Sequence, residues 1–250
     1  MKTPIVCFGL LLALTAPAWS QTALPDAELL VLLDAARFPD DSVTRIQVRI
    51  TAISPDETRV AEVVVTFGEV EGDSVARIGF LLPEELAGQI YLSTPDATFF
   101  YAPDLDFPIK ASATVELFGD AAVAQTSGIR FADGYEIASR EVTVGGDGAE
   151  RLALELVAVD ETIAFQSISL LVDRGTLRPQ SAKLYGLSGF PFYEVFYDTY
   201  EIRGDDDLYV SVQRIVSLIF EGRETISETL EIDSEALPAD WFDPEALGAS

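Results

Sequence analysis

Arg45-Ile46-Gln47-Val48-Arg49-Ile50-Thr51-Ala52 is the stretch whose reading decides the fold. Ile46, Val48, Ile50 and Ala52 alternate with Arg45, Gln47, Arg49 and Thr51. A period of two places the apolar set on one side of an extended chain and the polar set on the other, which predicts a half-buried strand. Downstream, Ser54-Pro55-Asp56-Glu57 reads as a turn. Arg59 to Phe67 then repeats the pattern, with Ala61, Val63, Val65 and Phe67 sharing a face. Strand and short turn recur from here nearly to the C terminus. The spacing predicts strands over Val75 to Leu82, Gln89 to Ser93, Thr98 to Tyr101, Tyr135 to Val144, Arg151 to Val159, Ser167 to Asp173, Gln180 to Tyr185, Tyr193 to Ile202, Leu208 to Phe220 and Glu224 to Ile232. Separators this short make sequence neighbours antiparallel partners.

Upstream the period is that of a helix. Leu29, Leu30, Leu32, Leu33 and Ala36 recur at helical spacing, Asp26 is placed to cap the start, and Pro39 ends the run. In mid-chain, Asp104 to Ser112 reads as irregular, and Gly119 to Thr126 predicts a second, short helix. Pro238 to Leu247 reads as a terminal helix or coil. The simplest architecture is mainly β: a single curled antiparallel sheet with N-terminal and mid-chain helices packed on one side.

The first residues read as a secretory signal: Lys2, an apolar run from Ile5 to Ala16, and a small-residue site at Ala18-Trp19-Ser20. Cleavage before Gln21, cleavage after Ala18, and retention as an uncleaved anchor are the three readings of this stretch. The first divides the chain into a signal peptide, 1–20, and one domain, 21–250. The one cysteine, Cys7, lies inside the signal, so the mature domain would have no thiol for a disulfide or a thiolate metal site. Export without disulfides fits a bacterial periplasm.

Composition narrows the function. Lys and Arg number 16 against 42 Asp and Glu, a formal net charge of −26. Such a chain has no basic patch to neutralise phosphates, which excludes nucleic acid, and it is repelled by anionic headgroups. There is no histidine, so histidine-based triads and common zinc sites are excluded. Lys110 and Lys183 are the only lysines after the signal, and neither lies in a Ser-x-x-Lys frame. Gly145-Gly146-Asp147-Gly148 has no following helix or adjacent lysine, so it reads as a hairpin turn, not a phosphate cradle. Asp205-Asp206-Asp207 could hold calcium, but without a correctly spaced glutamate it reads as a solvated turn. The expectation is a protein that is not an enzyme and takes no cofactor or metal.

Several strands are apolar on both faces: Val63-Val64-Val65, Ile78 to Leu82, Phe99-Phe100-Tyr101 and Tyr193 to Tyr200. Either the sheet is covered on both sides, or its concave side lines an apolar cavity. Strand parity nominates Ile46, Val48, Ile50, Val65, Ile78, Phe80, Phe99 and Tyr101 as cavity-lining positions, with the register rule that a one-residue slip reverses the face.

Local segments carry a resemblance. Phe99-Phe100-Tyr101-Ala102-Pro103, running on to Ser112, resembles the aromatic-x-Tyr-x-Pro segment of the periplasmic outer-membrane lipoprotein-sorting (LolA/LolB-like) family, with Phe99 where a tryptophan is common. Leu171 to Pro179 resembles that family's strand-turn segment, in which Val-Asp precedes Leu-x-Pro. Leu237-Pro238 through Phe242 to Leu247 resembles its ending. The basic residues usual after the first motif are reduced here to Lys110, with Asp104 and Asp106 in their stead. The resemblance implies a half-barrel whose helices form a lid over an acyl-chain cavity. It implies a periplasmic carrier that shuttles lipid or lipoprotein acyl chains between inner and outer membranes, served by an inner-membrane transporter and an outer-membrane acceptor. Removing each methylene from water is worth about 0.8 kcal/mol, so a long chain gains on the order of 10 kcal/mol in such a cavity. The alternative is a β-rich envelope interaction or sensor module whose apolar strands are only core.

Overall fold

The structure is a computed structural model that describes residues 24–39, 43–94, 96–112, 115–119, 121–122, 129–204, 207–238 and 240–248. The segment read as a signal, most of the Asp205-Asp206-Asp207 turn, and the expected helix at Asp120 and beyond Ala122 lie outside these residues. Asp207 is described, and its carboxylate accepts from Arg203 Nε at 2.8 Å.

Two antiparallel meanders build the sheet. The first contains β1 (Arg45–Ile53), β2 (Thr58–Val70), β3 (Asp73–Leu82), β4 (Ile90–Ser93), β5 (Thr98–Tyr101) and β6 (Ile109–Ala111). The second contains β9 (Tyr135–Val144), β10 (Glu150–Ala158), β11 (Ser167–Asp173), β12 (Pro179–Tyr185), β13 (Pro191–Arg203), β14 (Asp207–Ser217) and β15 (Glu224–Asp233). They join where the first strand of one pairs with the last strand of the other, Ile46 opposite Ile232 and Ile50 opposite Ser227. The result is one 13-stranded sheet in the order β6-β5-β4-β3-β2-β1-β15-β14-β13-β12-β11-β10-β9. Its fold class is mainly β, a single open antiparallel sheet curled as a half-barrel, as the alternating pattern predicts.

The alternation set by β1 continues across the sheet and fixes its inner face. Ile50, Ala61, Val63, Val65, Ile78, Leu154, Leu170, Leu184 and Ile215 all enter one buried core. Helix α1 (Asp26–Ala35) lays Leu29, Leu30 and Leu33 on that face. Burial of each such side chain contributes about 1.5–3 kcal/mol. Asp26 does not cap the helix. Pro25 holds the N-cap position without a side-chain cap bond, and Asp26 lies in the first turn, 3.6 Å from Arg140.

Between β6 and β9 the chain crosses from one end of the sheet order to the other. The crossing carries a small hairpin, β7 (Glu116–Phe118) with β8 (Ala121–Ala122), then a single helical turn, Phe131–Gly134. The expected helix from Gly119 is thus replaced at Ala121 and Ala122 by strand. Gly119 adopts φ +62°, a left-handed conformation that reverses the chain and that a helix cannot contain. Leu117, Phe118 and Phe131 are buried in the core beneath this crossing. The stretch read as irregular contributes the short edge strand β6, shielded by Pro108 and by Lys110.

The outer face of the first meander is covered by the C-terminal segment. Leu247 is buried against Ile90 and Leu92, with Phe99, Tyr101 and Phe242 packed around them. Trp241 Nε1 donates to Thr66 Oγ1 at 2.8 Å, and the Arg77 guanidinium lies 3.8 Å from the Trp241 ring centre. The terminal segment expected as helix or coil includes a short 3-10 helix, Pro244–Ala246.

Candidate functional site

Inward-facing side chains do not fill the half-barrel completely. Ile46 and Val48 of β1, Val65 and Phe67 of β2, Leu184 of β12, Val195 and Tyr197 of β13 and Ile215 of β14 wall a cavity of about 100 Å³. Gln213, Ser227 and Thr229 add polar groups to this lining. Ile129, Phe131 and the Arg37-Phe38-Pro39 extension of α1 complete it. Apolar walls with a few placed polar groups are the ordinary make-up of a small-molecule site, but such sites usually measure roughly 300–1,000 Å³. The cavity is therefore smaller than such sites usually are.

One buried ion pair bolts the roof. Arg37 Nη2 donates to Asp34 Oδ1 at 2.5 Å, and both residues are below a tenth exposed. Asp34 also accepts from the backbone N–H of Phe131 at 2.9 Å and of Ala132 at 2.8 Å. Arg37 Nη2 donates to the Ile129 carbonyl at 2.5 Å, and the guanidinium lies 3.7 Å from the Phe131 ring centre. The helix and the end of the crossing are thus tied through a single carboxylate and a single guanidinium. Burial opposes the charge on Arg37, but Tyr197 and Asp34 hold its pKa above the ordinary arginine value. Burial also pushes the Tyr197 phenol up, only partly offset by Arg37. Arg37 Nε is the one buried side-chain polar atom among the described residues without a hydrogen-bond partner.

Beyond Phe38 and Pro39 lies a second, larger space of about 930 Å³. It is a groove between α1 and the ends of β2, β3 and β4, lined in part by Gly68, Glu69, Ser74, Ser93, Arg130 and Asp133. Phe38, Pro39 and Phe67 line both spaces.

The eight parity candidates fall into three places. Ile46, Val48 and Val65 line the cavity. Ile50, Ile78 and Phe80 are buried in the core on the same inner face. Phe99 and Tyr101 lie in the cluster under the C-terminal segment, on the outer face. On β5 the inward residue is Phe100, whose ring centre is 4.8 Å from that of Tyr91. Alternation then turns its two neighbours outward. Leu184, Val195, Tyr197 and Ile215 were not among the candidates, although the second meander alternates as plainly as the first. Arg37 had a signal in the Asp34-x-x-Arg37 spacing, which brings the two groups together at the C-terminal end of α1.

Residues 72–249 match the model of a family described as "Uncharacterized protein". No curated protein matches the chain. Among solved structures, a LolA superfamily protein from Nitrosomonas europaea is similar with a TM-score of 0.76 at 21% identity, over 88% of this chain and 98% of that one. A proposed outer membrane lipoprotein-sorting protein domain from Vibrio parahaemolyticus is similar with a TM-score of 0.73 at 15% identity, over 89% and 97%. A DUF1329 family protein from Desulfovibrio piger gives 0.72 at 16% identity, again over 89% and 97%. The half-barrel fold is therefore shared with these three proteins.

Proposed function

We propose that this chain, which belongs to the family matched over residues 72–249 and shares the fold of a LolA superfamily protein, is an exported, non-enzymatic carrier. Its cargo would be a lipid, or the acyl chains of a lipoprotein. The observation that carries this reading is the mainly apolar cavity on the inner face of the sheet, beside the Asp34–Arg37 pair that ties the helix to the crossing. A carrier must shield acyl chains while crossing water and release them on arrival, and a roof held by a few polar contacts provides both states. Lipoprotein sorting, the activity proposed in the name of the Vibrio neighbour, is the first candidate for the cargo class. In this reading the protein works in the periplasm between an inner-membrane transporter and an outer-membrane acceptor.

Native mass spectrometry with lipid extraction, on protein purified from a bacterial envelope, tests the proposal. A stoichiometric lipid or acylated peptide is expected. Val48→Glu, which places a carboxylate in the cavity wall, is expected to abolish it in a folded protein. An empty protein that also fails to take up a fluorescent fatty-acid probe would overturn the carrier reading.

A second reading has its own observation. Leu187 and Phe190, in the turn after β12, are 83% and 71% exposed. Leu218, Ile219 and Phe220 are exposed in the turn after β14. The two turns adjoin, with the Leu218 N–H donating to the Phe192 carbonyl at 2.9 Å. This apolar end favours an envelope interaction module without cargo. Such a module would stay empty in the experiment above, and would lose its partner when these tips are made polar.

A further inference from the structure

Phe38, together with Pro39 and Phe67, lines both the large groove and the small cavity. Its ring is gripped by cations: the Arg37 guanidinium carbon lies 4.7 Å from the ring centre, and that of Arg130 lies 4.8 Å from it. Cation–π attraction of this kind is worth roughly 0.5–2 kcal/mol per contact, enough to hold a side chain and little enough to release it. Phe38 is only half-buried, whereas Arg37 beside it is buried. Phe38 thus borders both a compartment of about 100 Å³ and one of about 930 Å³.

The two compartments differ in chemistry. The inner one is walled mainly by aliphatic and aromatic side chains, with Arg37, Gln213, Ser227 and Thr229 among them. The outer one carries hydroxyl and charged groups, with its acidic charge in excess. Glu69 and Asp133 are exposed carboxylates with no ion pair among the described residues, and Asp207 is tied to Arg203. The one guanidinium of the groove, Arg130, lies against Phe38. A mainly apolar inner space that shares an aromatic side chain with a mixed outer space in acidic excess matches an amphiphile: tail inside, head outside.

We propose that the groove is the head-group compartment of the cargo site, that Phe38 is the gate between it and the tail cavity, and that Glu69 and Asp133 select head groups bearing an ammonium over purely anionic ones. This rests on the carrier reading and adds to it a location, a gate and a charge rule. An ammonium-bearing head faces two free carboxylates. A zwitterionic head can in addition set its phosphate against Arg130. A bare carboxylate or phosphate monoester would enter against both carboxylates with one cation in return.

The test uses the purified full chain and three dodecyl probes below their micelle thresholds: dodecylphosphocholine, dodecyltrimethylammonium and dodecanoate. Calorimetric titration at low salt is expected to give one site for each ammonium probe and binding about tenfold weaker for dodecanoate. In the E69Q/D133N variant that gap is expected to close. In F38A, and less so in F38L, stopped-flow release of dodecylphosphocholine is expected to accelerate severalfold while the order of affinities stays unchanged. Equal affinity for all three probes would overturn the head-group assignment and leave the carrier reading standing. A gap that persists in the double variant would place the selectivity in the general surface charge and overturn the groove. Unchanged release from both Phe38 variants would overturn the gate. Failure of all three probes to bind would overturn the carrier reading, and the inference with it.

Discussion

Asp34 and Arg37 hold opposite charges in a place where neither could be left alone. Removing one partner strands the other without solvent, which costs about 3–5 kcal/mol, whereas removing both leaves no orphaned charge. D34A and R37M are each expected to destabilise the protein by that order, D34A the more because the Phe131 and Ala132 N–H groups also lose their acceptor. The double variant should cost clearly less than the sum, as read from urea unfolding. Additivity within about 0.5 kcal/mol would mean that the pair is not a coupled bolt. A contrasting residue is Asp147, in the β9–β10 turn. The Arg151 guanidinium hydrogen-bonds its carboxylate, the Ala149 N–H adds to this, and its pKa is pulled down to about 2. A depressed carboxylate contributes stability above its unfolded value, near 4, and that contribution is lost as pH falls through about 2. An NMR titration should find the Asp147 carboxyl midpoint near 2, moving toward the ordinary value in R151Q. A midpoint unmoved by that substitution would exclude Arg151 as the cause.

Among the elements, the β7–β8 hairpin depends most on a single position. A Cβ on Gly119 would lie 2.4 Å from the Ala52 Cβ and 2.9 Å from Thr225 Oγ1, and its φ of +62° already disfavours any side chain. The hairpin therefore rests directly on the inner face of β1 and β15. G119A is expected to destabilise by about 2 kcal/mol through strain and displacement together. G146A, in a turn with open space around it, should be close to neutral. Thermal unfolding of the two variants checks the contrast, and equal effects would show that the hairpin is not seated on the sheet. The same element explains a misread of the sequence. Asp120-Ala121-Ala122-Val123-Ala124 has the composition of a helix, but helix propensity amounts to tenths of a kcal/mol per residue. A left-handed glycine locked against Ala52 outweighs it at Ala121 and Ala122.

Across the whole molecule, 42 acidic side chains face 16 basic ones. Among the described residues most ion pairs have at least one exposed partner, as with Arg59–Glu57 and Arg174–Glu150, and exposed pairs contribute little. Net self-repulsion remains, and it is screened over a length of about 10 Å at 0.1 M salt. The melting temperature is therefore expected to rise by several degrees between low-salt buffer and about 0.5 M sodium chloride. A flat or falling profile would mean that the surface charges are locally balanced. Charge also bears on traffic: so acidic a protein approaches neutral or cationic partners more readily than anionic bilayers. A docking partner for this protein should present basic groups.

Much of the fold could be read directly from the amino-acid order. The alternation that begins at Ile46 fixed the antiparallel strands, their sequence neighbours and the inner face of β1 and β2. The spacing of Leu29, Leu30 and Leu33 fixed α1. These are local consequences of where side chains point, and neighbours in sequence are enough to state them. The union of the two meanders through β1 and β15 came only with the tertiary structure, because it pairs residues nearly two hundred positions apart. So did the outward turn of Phe99 and Tyr101. Both faces of β5 are apolar, and only the packing of Leu247 and Phe242 decides which face is outer. The roof over the cavity has the same character: Asp34 meets Phe131 across 97 positions of chain, a contact that no local periodicity encodes and that the closing of the core enforces.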